Sequence, residues 1–454
     1  MGIAPASHRS DGRLSSVQAW ATVALLFVAS IISVIDRSLL NIVVDTVKVD
    51  LGVSDVQISL LQGLAFGLFY ATMGIWLGFV ADRTSRRLLI VAGIGLWSLA
   101  TIGSGLAQSF GSLFVARLLV GLGEAALAPA AISLIADMFP PDKRGRPIGL
   151  YLMGQAVASG VSIFVGGSLL AAAGRGAFAD WPLIATLAPW RIVFVLCGLL
   201  GLVVSGAFLL TTEPRRGPGS SERLPFSVQA KAAFDHFNHN RGHLASVYMG
   251  FAICFLGAYG AFAWQFAMLS RSFAASPLAV AAQLGPLSIG FGLAGPLIGG
   301  FLVDHMVKRG GPPYVLRLLV ALPLLALPSA CAVLAPTLGS ACIFAASLAG
   351  VVSMVGTATL SYIQSVVPGH MRGFSVSMTG LVNTLIGSAI GPFLVATMTE
   401  HVFKADASVG YSILCVACPA YIIAAACYAL AGRQPDLSRR APVPALGQFA
   451  GDVS

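Results

Sequence analysis

A chain of 454 residues with 57 % hydrophobic and only 10 % charged residues lies outside the range of ordinary soluble domains, of which about a quarter are charged. So apolar a composition also excludes disorder for the bulk of the chain and, with a mean hydropathy of +0.85, leaves a protein dissolved in a bilayer. The net charge of +9 reads as cytoplasmic loops and not as a nucleic-acid surface, because Lys and Arg collect on the cytoplasmic side of membrane proteins.

In chain order, residues 1–18 form a polar tail without the short apolar core and small-residue cleavage site of a signal peptide. Six apolar stretches follow at 19–44, 56–80, 87–108, 111–137, 148–172 and 190–211, each long enough for the roughly 20 residues a spanning helix needs. A polar linker, 212–243, holds Glu213-Pro214-Arg215-Arg216. Six more stretches come at 244–270, 278–303, 314–336, 339–364, 374–399 and 409–432, and a polar tail, 433–454, ends the chain. The predicted class is an all-α membrane protein, with twelve transmembrane helices in two pseudo-symmetric six-helix bundles, 19–211 and 244–432. Of the 27 Lys and Arg residues, about 20 fall on the side of the first tail, which places both termini in the cytoplasm.

The cysteines at 197, 254, 331, 342, 415, 418 and 427 all lie inside apolar stretches and read as small core residues. Cys415 and Cys418 form a C-x-x-C without a second pair or a nearby histidine, so neither a metal nor any other cofactor is expected. Enzyme signatures are missing as well: the chain contains no G-x-x-x-x-G-K-[ST], H-E-x-x-H or G-x-S-x-G.

The chain repeats itself. Gly78-Phe-Val-Ala-Asp82-Arg83-Thr-Ser-Arg86-Arg87 after the second stretch is echoed by Gly300-Phe-Leu-Val-Asp304-His305-Met-Val-Lys308-Arg309 after the eighth. Arg144-Gly145 and Arg372-Gly373 echo each other after the fourth and tenth. A parallel duplication of six helices places a substrate site between the halves near mid-bilayer.

Ionisable side chains at membrane depth cost at least about 2.5–3.5 kcal/mol each and face a cavity or a partner. Four stand out: Asp36 and Arg37 in the first helix, Arg117 and Glu124 in the fourth. Seven residues apart, Arg117 and Glu124 lie within about 20° of one helix face. Gly121 on that face leaves room for a neighbour or a ligand. At 1.5 Å rise per residue, Glu124 sits near the midplane, Asp36 roughly 6–7 Å and Arg117 roughly 10 Å outside it. Asp36 and Arg117 are therefore at pairing depth, whereas Arg37 points about 100° away from Asp36. Two readings stay open. In one, the four groups pair off and tie the first and fourth helices together. In the other, Glu124 or Asp36 takes up a proton while Arg37 and Arg117 bind an anionic group. The tenth helix carries only Ser, Thr, Tyr and Gln where the fourth carries Arg and Glu, and that asymmetry favours the second. Among weaker candidates, Trp264 and Asn383 are the preferred substrate contacts. Gln155, Tyr248, Tyr259, Gln265, Tyr362, Gln364 and Thr384 read as helix-packing hydrogen bonders.

The repeated loop motif and the six-plus-six layout resemble the major facilitator superfamily, with Ser85 standing where that family's motif has Gly. Asp36-Arg37, Trp97-Ser-Leu-Ala, Arg117-Leu-Leu-Val-Gly-Leu-Gly-Glu-Ala, Asp137-Met-Phe-Pro-Pro and Trp264 resemble the spinster branch of lipid transporters. The resemblance implies alternating access, gated on the cytoplasmic side by Asp82, Arg83, Arg86, Arg87, Asp137 and Asp304. Asp82 would accept hydrogen bonds from the first turn of the eleventh helix, where the dipole favours an anion, and Arg86 would reach Asp137. The implied cargo is a lysophospholipid or sphingoid phosphate. Proton coupling is expected, in a monomer, and the short tails and small loops suggest a bacterial inner membrane. The organic-anion symporters of the same superfamily share the Asp-Arg and Arg…Glu-Ala elements and are the rival reading. A non-coupled scramblase or a ligand-sensing receptor is a third.

Overall fold

The computed structural model describes residues 15–140, 143–214, 237–238, 240–367 and 372–434. Among them there is no strand. Twelve spans are long and apolar enough to cross a membrane: α1 (Ser16–Ile42), α2 (Asp55–Gly74), α3 (Arg86–Leu106), α4 (Phe110–Met138), α5 (Gly145–Gly174) and α6 (Pro189–Phe208) precede the linker, and α7 (Arg241–Ser272), α8 (Pro277–Gly310), α9 (Pro312–Ala330), α10 (Leu338–Val366), α11 (Met378–Phe403) and α12 (Asp406–Gly432) follow it. The backbone divides into two compact units, 1–223 and 224–454, so each unit holds six spans. Most of the linker and both tails lie outside the described residues.

The helix starts are written locally. Ser15 with Gln18, Ser109 with Ser112 and Thr337 with Ser340 close reciprocal caps on α1, α4 and α10, satisfying amide groups that have no partner inside the helix. Pro189 opens α6 and Pro277 opens α8, at the one place where a missing N–H costs nothing.

Where the helices depart from the apolar stretches, proline and packing explain the departure. The fourth stretch is two helices, Phe110–Glu124 and Leu127–Met138. Pro129 has no N–H to offer the carbonyl of Ala125, and the break falls there. The eighth is longer than its apolar run, continuing as helix through Asp304, Lys308 and Arg309 to Gly310, where Gly311, with a φ of 71°, caps it. The ninth stops at Leu324 behind Pro323 and resumes for one turn at Leu327–Ala330. The second carries a π-helical segment at Leu61–Ala65 before running on as Phe66–Arg83. The eleventh carries two, Asn383–Ser388 and Met398–Phe403. Such segments interrupt α-helices mostly at functional places.

The core of the first unit joins Leu26 and Ile32 of α1, Ile94 and Trp97 of α3, Val120 and Leu134 of α4, and Tyr151 of α5. Two glycine contacts set how closely its helices approach. A Cβ on Gly93 would meet the Gly123 carbonyl oxygen at 2.9 Å, and one on Gly123 would meet the Gly93 oxygen at 2.7 Å. A Cβ on Gly121 would run into the Phe66 carbonyl of α2. The space beside Gly121 is thus filled by a neighbouring helix, the first of the two uses expected for it. In the second unit Trp264, Tyr362, Tyr421 and Tyr428 are fully buried, while Leu297 and Phe301 stay exposed on α8, as suits a lipid-facing helix.

Candidate functional site

In the first unit α1 presents Ser33 and Arg37, four residues apart and so on one face, toward Glu124 at the end of the first half of α4. One carboxylate oxygen of Glu124 accepts from the Ser33 hydroxyl at 2.8 Å and from Arg37 Nη2 at 2.8 Å. The Glu124 side chain is 0 % exposed and that of Arg37 is 34 % exposed. The Arg37 guanidinium lies over the Phe66 and Tyr70 rings, 4.5 and 5.1 Å from their centroids, and the two rings stack on each other. Phe66 directly follows the π-segment of α2, so the extra residue in that turn sets the direction in which the aromatic pair meets Arg37.

Arg117 and Asp36 come together, as their depths suggested, but not as a carboxylate–guanidinium pair. Arg117 Nη1 donates to the backbone carbonyl of Asp36 at 3.0 Å, and its guanidinium lies 4.8 Å from the centroid of the Phe194 ring. The Asp36 carboxylate accepts from the Thr101 hydroxyl at 3.3 Å. Both residues are buried. Asp36 Oδ1, Glu124 Oε1, and Arg117 Nε and Nη2 are buried with no hydrogen-bond partner among the described residues. Buried polar atoms are normally satisfied, so the cluster keeps hydrogen-bonding capacity in reserve. Sequence spacing missed Phe66, Tyr70 and Phe194. It also missed Ser33, although the four-residue step to Arg37 was there to be read.

A second cluster lies at the opposite end of the same helices. The Arg86 side chain, 3 % exposed, meets Asp137 at the end of α4, as expected, and also donates from Nε to Glu213 Oε1 at 2.9 Å. Glu213 further accepts from the backbone N–H groups of Arg86 at 2.9 Å and Arg87 at 3.4 Å. Arg87 Nη1 donates to the Thr211 carbonyl at 2.7 Å. The Ser85 hydroxyl binds Glu213 and accepts from the Leu88 N–H, capping α3. A carboxylate at a helix N-terminus meets the positive end of the dipole and its free N–H groups. Burial works to raise the Glu213 pKa, but the hydrogen bonds from Ser85 and from the Arg86 side chain and backbone outweigh it and hold the carboxyl below its usual range. Ser85 therefore serves as cap and carboxylate donor in the place where the resemblance called for Gly.

The remaining expectations are met unevenly. Arg83 and Asp304 are exposed. The Asp82 side chain lies outside the described residues, and its contact with the first turn of the eleventh helix with it, although the backbone there is helical from Arg372. In the second unit Trp264 is buried and donates its indole N–H to the Pro392 carbonyl at 3.1 Å. Asn383 opens the first π-segment of α11 and donates to the Tyr259 hydroxyl at 3.3 Å, and its Oδ1 has no partner. Gln155 donates to Tyr151, and Tyr248 donates to the Ser375 carbonyl, both as helix-packing bonds.

The sequence matches the profile described as Major Facilitator Superfamily over residues 26–392. It is 27 % identical over 420 residues to an "MFS-type efflux pump" of Mycolicibacterium smegmatis, covering 91 % of this chain and 92 % of that protein. It is 29 % identical over 416 residues to "Protein spinster" of Drosophila melanogaster, covering 88 % of this chain and 65 % of the fly protein. A "Probable L-galactonate transporter" of Escherichia coli is 27 % identical over 315 residues, 66 % of this chain and 65 % of that one. Among solved structures, a bacterial homologue of the human lysosomal transporter Spinster, crystallised inward-facing and unoccupied, superimposes with a TM-score of 0.79 at 27 % identity, covering 95 % of this chain and all of that one.

Proposed function

The chain belongs to the Major Facilitator Superfamily, and from that premise we propose that it moves an amphipathic anionic or zwitterionic lipid, of lysophospholipid or sphingoid-phosphate type, by alternating access coupled to protons. The observation that carries this reading is the Arg37–Glu124 pair, one partner buried in full and the other partly open. An incoming phosphate competes with Glu124 for the Arg37 guanidinium, whose planar fork suits phosphate geometry. Glu124, stripped of its counter-charge in a low dielectric, takes a proton on the carboxylate oxygen that Arg37 releases. Loss of that proton restores the pair and expels the cargo. Phe66 and Tyr70 hold the guanidinium in place and offer an apolar wall to the cargo's chain. Arg117 acts as a second anion-binding group, and Asp36 as a second site for a proton.

Asn383, with its open Oδ1, and Trp264 extend the cargo site from the second bundle in this proposal. Asp82, Arg83, Arg86, Arg87, Asp137 and Asp304 form the cytoplasmic gate. The protein works as a monomer in a bacterial inner membrane with both termini in the cytoplasm, and the protein performs transport without catalysis.

A small organic anion is the second reading. The relative described as an L-galactonate transporter favours it, and a carboxylate fits the Arg37 fork as well as a phosphate does. A carrier without coupling, or a receptor, would need no titrating glutamate. Flux into proteoliposomes under an imposed pH gradient separates these readings, with a labelled lysophospholipid and a labelled sugar acid compared for the parent and Glu124→Gln. Lipid flux driven by the gradient and made indifferent to it by the substitution is the expected result. Movement of the sugar acid alone overturns the lipid assignment, and lipid flux indifferent to both gradient and substitution overturns the coupling.

A further inference from the structure

The second unit holds a pocket of about 330 Å³ remote in sequence from the Arg37–Glu124 cluster. Its walls come from the start of α9, with Leu316, Arg317 and Val320, and from the end of α12, with Tyr428 and Arg433. The start of α7 and the end of α10 supply its floor, where His243 Nε2 and the Tyr362 hydroxyl stand 2.6 Å apart. The Tyr428 hydroxyl is engaged with Thr359 at 3.0 Å. These four helix ends face one side of the membrane, the one that the charge bias assigns to the cytoplasm.

The chemistry of the lining is two-sided. Leu316 and Val320 make an apolar wall, and two exposed guanidiniums stand at the mouth. Arg317 is steadied over the Tyr314 ring, 4.6 Å from its centroid. Neither Arg317 nor Arg433 forms an ion pair with any described residue. Arginines that served only to orient the chain would need no cavity between them. Two guanidiniums with no ion pair among the described residues flank this amphipathic pocket at headgroup depth, Arg317 about one and a half helical turns in from the start of α9 and Arg433 just past the end of α12. Basic pockets between helices on this side of a membrane are where acidic headgroups dock. The volume is at the small end for a ligand site, enough for a headgroup whose acyl chains remain in the bilayer.

We propose that this pocket binds the phosphate headgroup of an anionic phospholipid of the cytoplasmic leaflet, with the phosphate between Arg317 and Arg433 and the glycerol end against Leu316 and Val320. The site lies in the second bundle and does not rest on the identity of the cargo. It is tested on the full chain in a neutral detergent by native mass spectrometry and thermal unfolding, titrating phosphatidylglycerol, phosphatidylcholine or inorganic phosphate. Phosphatidylglycerol should be retained and should raise the unfolding temperature. Arg317→Gln and Arg433→Gln should each weaken it about tenfold, as the loss of one charge-assisted hydrogen bond predicts, and Gly103→Ala, which meets nothing within 4 Å, should leave it unchanged. Both arginines are exposed, so the variants retain the fold. Equal effects of phosphatidylglycerol and phosphatidylcholine, or titrations unmoved in the double variant, overturn the site. Inorganic phosphate acting as strongly as phosphatidylglycerol overturns the lipid as its occupant in favour of a soluble anion.

Discussion

Replacing Arg86 with glutamine removes the positive charge that Asp137 and Glu213 share. The guanidinium is 3 % exposed, and the two carboxylate side chains are 27 % and 19 % exposed. Breaking a fully buried pair costs about 3–5 kcal/mol and losing a surface pair about 0–1 kcal/mol. With both carboxylates partly solvated the loss falls between, at about 2 kcal/mol. For a body of about 200 residues, each kcal/mol lowers the unfolding midpoint by roughly 2–4 °C, so R86Q should unfold roughly 4–8 °C below the parent. Glu213→Gln breaks the Arg86–Glu213 pair from the other side and leaves Asp137 in place, and the double variant should lose at least about 1 kcal/mol less than the sum of the two singles. Acid provides a second readout. Because the Glu213 carboxyl is held below its ordinary 4.5 in the folded chain, its contribution is complete above that value. It disappears as the pH falls through the depressed one. The parent should therefore lose part of its stability below about pH 4.5 that E213Q never had. Scanning fluorimetry of the four proteins in one detergent, from pH 7 downward, measures all of this. An R86Q midpoint within 1 °C of the parent (on the order of 0.3 kcal/mol), or additive singles, would refute the claim that these three side chains form one unit.

Two further outcomes follow from packing. Gly121→Ala puts a methyl group against the Phe66 backbone, so α2 must shift, costing about 1–3 kcal/mol and lowering flux by displacing the rings that hold Arg37. Gly103→Ala meets nothing within 4 Å and should be neutral or stabilising by up to about 1 kcal/mol. Equal midpoints for the two variants would show that the α2–α4 approach is not tight. Trp264→Phe keeps the ring but loses the hydrogen bond to Pro392, for about 1 kcal/mol. An accompanying rise in the cargo's KM would mark Trp264 as a substrate contact, and a change in stability alone would mark it as packing.

The twelve spans were legible because apolar length is a local property. The break after Glu124 and the π-segments of α2 and α11 were not. They depend on which carbonyl a proline leaves without a donor and on how a neighbouring helix presses, and hydropathy averages over both. Depth counting brought Arg117 to Asp36 correctly, but along a helix axis it cannot tell a carboxylate from a backbone carbonyl. It turned Arg37 about 100° away from Asp36 and named no partner for it, and the fold supplies Glu124. Glu213 looked like part of a linker. Only the fold shows that the end of α6 returns it to the start of α3, where Ser85, an apparent flaw in the motif, is waiting for it.

The reciprocal contact of Gly93 and Gly123 bears on how this sequence can change. Each glycine's backbone occupies the volume that the other's side chain would need, so a methyl group at either position is blocked whichever comes first. Enlarging the second residue does not relieve the first and only adds another clash. Stepwise substitution therefore has no downhill route out of the pair. One close approach of two helices thus holds both positions to glycine, although they share neither charge nor side-chain hydrogen bond. The distance between α3 and α4 is therefore among the least adjustable dimensions of the first unit.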